Sequence, residues 1–145
     1  MTLYLLVHEK QYDDGSTDGK CIGFYSSAED AKLRIEKYKT IAGFMDYPDD
    51  FVIREMDVKI SFFRKKQMIK SVYFLQHEYS IGMADFVTEI GAFSSYFGAL
   101  KAKIKAMCSD KFKKYPEGFT IDKYEINEDN WTEGFVEYPI DEAEC

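Results

Sequence analysis

The sequence predicts an α+β protein built by tandem duplication of a β-β-α-β unit. Three observations carry that expectation. First, the chain repeats itself. Tyr4, Leu6, His8 and Glu9 recur as Tyr73, Leu75, His77 and Glu78 at an offset of 69, and Ile22, Gly23, Ser26 and Ser27 recur as Ile90, Gly91, Ser94 and Ser95 at 68. Phe44, Tyr47, Pro48, Phe51 and Ile53 then recur as Phe112, Tyr115, Pro116, Phe119 and Ile121, again at 68. Three blocks in one order at nearly one offset are the signature of an internal repeat. Second, each copy opens with short apolar runs of strand formers and closes on an alternating apolar-polar run. Third, between those runs apolar residues recur at helical spacing.

The elements follow in order. LYLLVHE and VYFLQHE read as first strands, and KCIGFYS and TEIGAFS as second strands, reached through loops at 10–19 and 80–87. The first loop, DDGSTDG, is turn chemistry. Ser26-Ser27 and Ser94-Ser95 are candidate helix N-caps, because a serine hydroxyl can accept from the open backbone N–H groups of a first helical turn. Ala28, Ala31, Ile35 and Tyr38 then mark one helix, and Phe97, Leu100, Ile104 and Met107 the other. Tyr-Pro breaks both helices before FVIREMDVK and FTIDKYEIN, which alternate as half-buried strands do. The expected organisation is a first repeat over 1–59, a basic linker over 60–71, a second repeat over 72–135 and an acidic tail over 136–145. Antiparallel-rich sheets, one helix per unit and a pseudo-twofold relation between units complete the prediction.

Bulk properties narrow the class. The chain has 145 residues, 46% apolar and 17% aromatic, enough for a packed core and against disorder. Cys21, Cys108 and Cys145 share no metal-ligand spacing, and an odd number of cysteines without a secretion signal suggests free thiols in a reducing cytoplasm. No apolar run approaches the roughly 20 residues that span a bilayer, and MTLYLLVHEK does not read as a signal peptide. The net charge of −7 is uneven: residues 1–71 balance, while residues 117–145 hold ten acids against one base, Lys123. A field of that sign repels nucleic acid and favours a basic protein partner.

The repeat unit resembles a family of small, uncharacterised bacterial proteins classed only as a domain of unknown function. The likeness rests on the YLL-x-HE strand, the Gly-x-Tyr-Ser-Ser step and a tail carrying Pro116, Glu117, Gly118, Phe119, Ile121, Tyr124, Ile126, Asp129, Trp131, Thr132, Glu133, Gly134 and Phe135. The first copy keeps the step and departs at the tail, with FFRKKQ in place of NWTEGF. The resemblance implies a cytoplasmic bacterial or phage protein and brings no activity with it.

Several residues are candidates for chemistry. His8 and His77, the only histidines, hold equivalent positions, and a pseudo-twofold could bring them together with Tyr4 and Tyr73 around a small-ligand pocket. Glu9 and Glu78 cannot orient them, because neighbours on a strand point to opposite faces. The plainer reading of each histidine is a strand-end side chain bonded to a nearby carbonyl or hydroxyl. Asp13, Asp14 and Asp18 lack the spacing of a calcium loop, and copy two has no acids there apart from Asp85. FFRKKQMIK mixes aromatics and bases as single-strand binders do, yet it is one short run in an acidic chain, so nucleic acid is disfavoured. No phosphate loop, HExxH or G-x-S-x-G occurs; no catalytic residue, metal or cofactor is expected.

The end of the chain is the richest candidate. Trp131, Phe135 and Tyr138 interleave with Glu128, Asp129, Glu133 and Glu137, the pattern of a surface whose aromatics anchor and whose acids steer a basic partner. The competing reading packs Trp131 and Phe135 on the chain's own core. These features together give the functional expectation: a non-enzymatic, acidic, cytoplasmic inhibitor of the immunity-protein or phage anti-defence kind. Such a protein occludes a partner and stays off membranes, and homodimerisation is left open. The alternative is a small-ligand protein or enzyme with its pocket at the repeat interface, lined by His8 and His77.

Overall fold

The computed structural model describes residues 1–61 and 69–130. Each half contributes three strands and a helix. The first runs β1 (Thr2–Gln11), β2 (Thr17–Tyr25), α1 (Ala28–Tyr38) and β3 (Phe51–Lys59), and the second runs β4 (Ser71–Ile81), β5 (Ala84–Phe93), α2 (Tyr96–Met107) and β6 (Phe119–Glu125). The strands form one mixed six-stranded sheet in the order β2-β1-β3-β5-β4-β6. Pairing within each half is antiparallel; the join between halves is a short parallel contact, Val58↔Ala92 and Lys59↔Phe93.

Both hairpins carry a bulge at the same repeat position, where Ile22 and Ile90 are the extra residues beside Leu6/Val7 and Leu75/Gln76. The loops at their tips differ. Residues 12–16 close the first hairpin, whereas only Gly82 and Met83 close the second. Gly82 sits at φ +63°, the left-handed geometry that lets a two-residue turn follow the twist of its strands. The second hairpin is thus one residue shorter, which accounts for the change of offset from 69 to 68. The loop expected over 80–87 is mostly strand: the alternation of Ala84–Phe93 continues straight out of the tight turn.

The sheet curls, and its inner face encloses one shared core. Leu3, Leu5, Val7, Phe24 and Val58 of the first half meet Val72, Phe74 and Ala92 of the second. Phe24 and Phe74 pack edge to face at 5.2 Å. The outer face of each half has its own core under its own helix: Leu6, Ile22, Tyr25, Ala31, Tyr38 and Phe44 beneath α1, and Leu75, Phe93, Ala99, Phe112 and Phe119 beneath α2.

The helices start where the serines predicted. Ser27 Oγ accepts from the Asp30 N–H and Ser95 Oγ from the Gly98 N–H, both at 3.1 Å. α1 buries Ala31 and Tyr38 as its spacing predicts. In α2 the apolar stripe that marks the helix lies on the wrong side for a core: Phe97 is 75% and Ile104 57% exposed, while Ala99 is buried and Ala102 and Ala106 pack on the sheet. Large aromatics, Phe93 and Phe119 on the sheet and Phe112 in the turn after α2, already fill that core, so the helix approaches with alanines.

Candidate functional site

Three places gather chemistry, and the strand alternation sets all of them. The first is the pair of histidines. On β1 and β4, His8 and His77 point outward with Leu6 and Leu75, toward each half's own helix side. Each is 2% exposed. His8 Nε2 lies 2.9 Å from the Tyr47 carbonyl and His77 Nε2 lies 2.8 Å from the Tyr115 carbonyl. A carbonyl only accepts, so Nε2 carries the proton and donates. His8 is ringed by Phe44 and Phe51, His77 by Phe112 and Phe119, all between 4.6 and 4.9 Å. Every one of these ring neighbours belongs to the histidine's own half. The shared His8–His77 pocket is therefore corrected: each imidazole pins its own Tyr-Pro corner. Tyr4 and Tyr73 pack at the margins of the outer cores rather than around a common cavity.

The second place is a seam that joins the end of the second half to the first. Beyond β6 the chain turns at Asn127, whose φ of +67° is left-handed. It then runs beside β2: Asn127 N–H donates to the Phe24 carbonyl and Asn130 N–H to the Ile22 carbonyl, each at 2.8 Å. Asn127 Oδ1 accepts from the Ser26 N–H at 2.9 Å. The approach is so close that a Cβ at Gly23 would stand 2.6 Å from the Glu128 carbonyl oxygen, which explains the glycine of the GFYSS step.

Asp129 is the centre of this seam. Tyr25 Oη donates to its Oδ1 at 2.5 Å, Arg34 Nε lies 3.3 Å and Lys37 Nζ 3.4 Å from its carboxylate, and the side chain is 13% exposed. Burial by itself would push the Asp129 carboxyl up, but the phenols of Tyr25 and Tyr38 and the Arg34 and Lys37 charges outweigh it and hold the group below the usual carboxylate range. Burial, and then the Asp129 carboxylate, raises both phenols well above normal.

At the equivalent join, where the first half's tail meets the second, the same positions read Ser61, Phe93, Ala102 and Lys105. There Ser61 N–H donates to Ser94 Oγ at 2.8 Å. The first join is a partly shielded ionic cluster, which Ser61, Phe93 and Ala102 do not reproduce at the second. Of the expected partner-facing residues, Asp129 thus faces α1 inside the molecule, Glu128 is exposed, and Trp131, Glu133, Phe135, Glu137 and Tyr138 lie outside the described residues.

The third place is a cleft of about 610 Å³ between the inner faces of the two halves, at the hairpin end of the shared core. Arg54 stands in it. Its guanidinium spans both halves, 2.6 Å from Glu9 Oε2 on β1 and 2.5 Å from Glu89 Oε1 on β5. Gln76, Cys21 and Tyr124 line the same space. Burial raises Glu89, with Arg54 working against that rise, and burial pushes the Cys21 thiol up to about 12. A neutral thiol of that kind is a wall, not a nucleophile. The remaining charged lining is Asp18, Glu78, Asp85 and Lys20, so acids exceed bases by five to two.

Sequence reasoning missed the Arg54 clamp, although a signal exists. In FVIREMDVK the inward positions are Val52, Arg54, Met56 and Val58, and a lone charge on a core-facing alternation demands a partner. Among the described residues, no group of three or more His, Cys, Asp or Glu side chains is arranged to hold a metal, and no helix is long and apolar enough to cross a membrane.

A family model for a domain of unknown function (DUF7336) matches the chain twice, over residues 1–66 and 70–135. Neither a curated protein nor a solved structure matches it.

Proposed function

The chain belongs to the DUF7336 family, in two tandem copies, and from that premise we propose that it is a non-enzymatic binding protein whose ligand site is the cleft between the copies. The ligand that fits is a small organic cation, an amine or guanidinium on a partly apolar body. The observation that carries this reading is the Arg54 clamp. Two carboxylates more than match the single charge of the guanidinium, so it offers an anion no net positive field, while Glu78, Asp85 and Asp18 keep the lining net negative. Val7, Cys21 and Tyr124 supply the apolar wall, and the volume lies in the range of small-molecule sites, about 300–1,000 Å³. The repeat makes the same point: at the positions matching Glu9 and Arg54 the second half has Glu78 and Asp122, two acids where the first half has an ion pair.

The test is an amide NMR titration of the full chain with agmatine and tyramine, and with 3-phenylpropionate as the anionic counterpart. Saturable shifts at Gln76, Thr88, Glu89 and Tyr124 from the cations alone, weakened in Glu78→Gln, support the site. Shifts that are absent, or equal for the anion, refute it.

A second reading is the expected one, occlusion of a basic partner by the acidic end, with the pseudo-twofold unit as scaffold. What favours it among the described residues is Glu128, exposed at the start of that end. Its test is capture from host lysate at low and high salt: a basic protein retained only at low salt supports it, and none in either condition refutes it.

A further inference from the structure

We propose that the outer ridge of α2 is a docking surface for a second protein, one that presents apolar side chains among carboxylates. The observation is a difference between two helices of one fold. Counted from their N-cap serines, Phe97, Leu100, Ile104 and Met107 of α2 occupy the positions that Glu29, Lys32, Glu36 and Lys39 occupy in and just after α1. The α1 ridge is charged throughout and exposed, with Lys39 Nζ 3.4 Å from Glu36 Oε1. On α2, Phe97 is 75%, Ile104 57% and Met107 41% exposed.

The first half folds with charges on this ridge, so the unit does not require apolar residues there. What it requires lies on the opposite side, where Ala31 and Ala99 are both buried. Scattered exposed apolar residues need no explanation, but exposed Phe97, Ile104 and Met107, joined by half-buried Leu100 at i+3, make a continuous stripe. Covering such a stripe removes large apolar side chains from water, which favours association. That spacing is how a helix anchors in, or beside, a partner's groove.

Charge decides the kind of partner. α2 has no acid in its first turn or anywhere in YFGALKAKIKAM, and it carries Lys101, Lys103 and Lys105. The turn that follows adds Lys111, Lys113 and Lys114 against Asp110 alone. Six of the seven bases in residues 72–145 therefore stand on this helix or in the turn that follows it, in a chain whose net charge is −7. A lysine rim around an apolar stripe steers an acidic surface toward it and sets two copies of the same face against each other. The surface is thus opposite in sign to the acidic end of the chain.

The experiment captures partners from host lysate with the full chain, with Phe97→Glu/Ile104→Glu, and with Leu33→Glu. Leu33 is 67% exposed on α1, so that variant controls for a new surface charge on the other helix. Circular dichroism confirms that each variant is folded. The expected result is an acidic protein held by the wild type and the Leu33 variant and lost by the ridge variant. Its purified form should bind the ridge variant and Lys101→Glu/Lys105→Glu at least tenfold more weakly. The proposal falls if no protein is lost selectively, or if the one lost is basic. It also falls if vesicles of phosphatidylglycerol and phosphatidylcholine bind through the ridge instead, or if light scattering shows a dimer of this chain that the ridge variant dissolves.

Discussion

Tyr25 and Asp129 stand 104 residues apart in the chain and share a hydrogen bond of 2.5 Å, and with it the end of the second repeat is fastened to the helix side of the first. A charge-assisted bond of this kind, partly shielded from water, contributes about 1.5–3 kcal/mol. Tyr25→Phe and Asp129→Asn should each lower the unfolding free energy by about 1–2 kcal/mol, and the double variant should lose less than the sum, because both remove one interaction. Urea unfolding of the four proteins measures the coupling; strict additivity would show that the two side chains do not act together.

The same carboxylate sets an acid limit. Its folded value is depressed, so the stability it contributes is present above the unfolded value of about 3.9 and is lost as pH falls through the lower folded value. Asp129→Asn should therefore narrow the stability difference from the wild type as the buffer is taken from pH 6 to below about 3. Melting temperatures across that range check it, and a gap that stays constant with pH would assign the seam's stability to packing alone.

Arg54 offers the opposite case. Its removal leaves Glu9 and Glu89, only 12% and 21% exposed, facing each other without a cation. Arg54→Met should destabilise by about 2–3 kcal/mol, somewhat less than the loss of a fully buried partner. It should also raise Glu89 further, so that most of the loss disappears when Glu89→Gln is added. Thermal melts of the single and double variants at neutral pH decide this; a double variant no more stable than Arg54→Met would mean that the clamp matters by shape and not by charge.

The histidines should behave as structural twins. Replacing His8 or His77 by Phe takes one of two donors from the Tyr47 or Tyr115 carbonyl, which keeps the Asp50 or Gly118 N–H, at a cost of about 0.5–1.5 kcal/mol each. The two losses should add, since each ring is enclosed by aromatics of its own half. Chemical denaturation of both single variants and the pair tests this.

Thiol chemistry gives a rapid check of the cleft. Cys108 is exposed, whereas Cys21 is half-buried with its thiol pushed up to about 12. Peptide mapping after brief alkylation at pH 8 should find Cys108 modified and Cys21 intact. Early modification of Cys21 would mean that the cleft opens.

Much of this fold is legible in the sequence, because the information is written twice. The offset of the repeats locates both hairpins, the Ser-Ser pairs locate both helix starts, and the Tyr-Pro pairs locate the strands that follow. What stayed hidden is what depends on which face meets what. The spacing of Phe97, Leu100, Ile104 and Met107 reports a helix but not its orientation, and the small alanines on the other side carry no signal in a hydrophobicity pattern. Gly23 is only a repeated position in the sequence until the Glu128 carbonyl is found against it. Asp129 reads as surface charge until Tyr25, Arg34 and Lys37 are seen around it. Comparing the copies position by position would have marked it, since Phe93, Ala102 and Ser61 replace that cluster at the other join.

The apolar ridge occurs on one helix of the two. Had the same unit assembled as a dimer of separate chains, every change on its helix would have appeared twice, and a docking surface gained by one subunit would have been gained by both. Such a molecule is bivalent and holds two partners at once. Fusing the copies lets one helix diverge while the other keeps its charges. A surface of this kind has a valency of one: each chain takes up one partner through it.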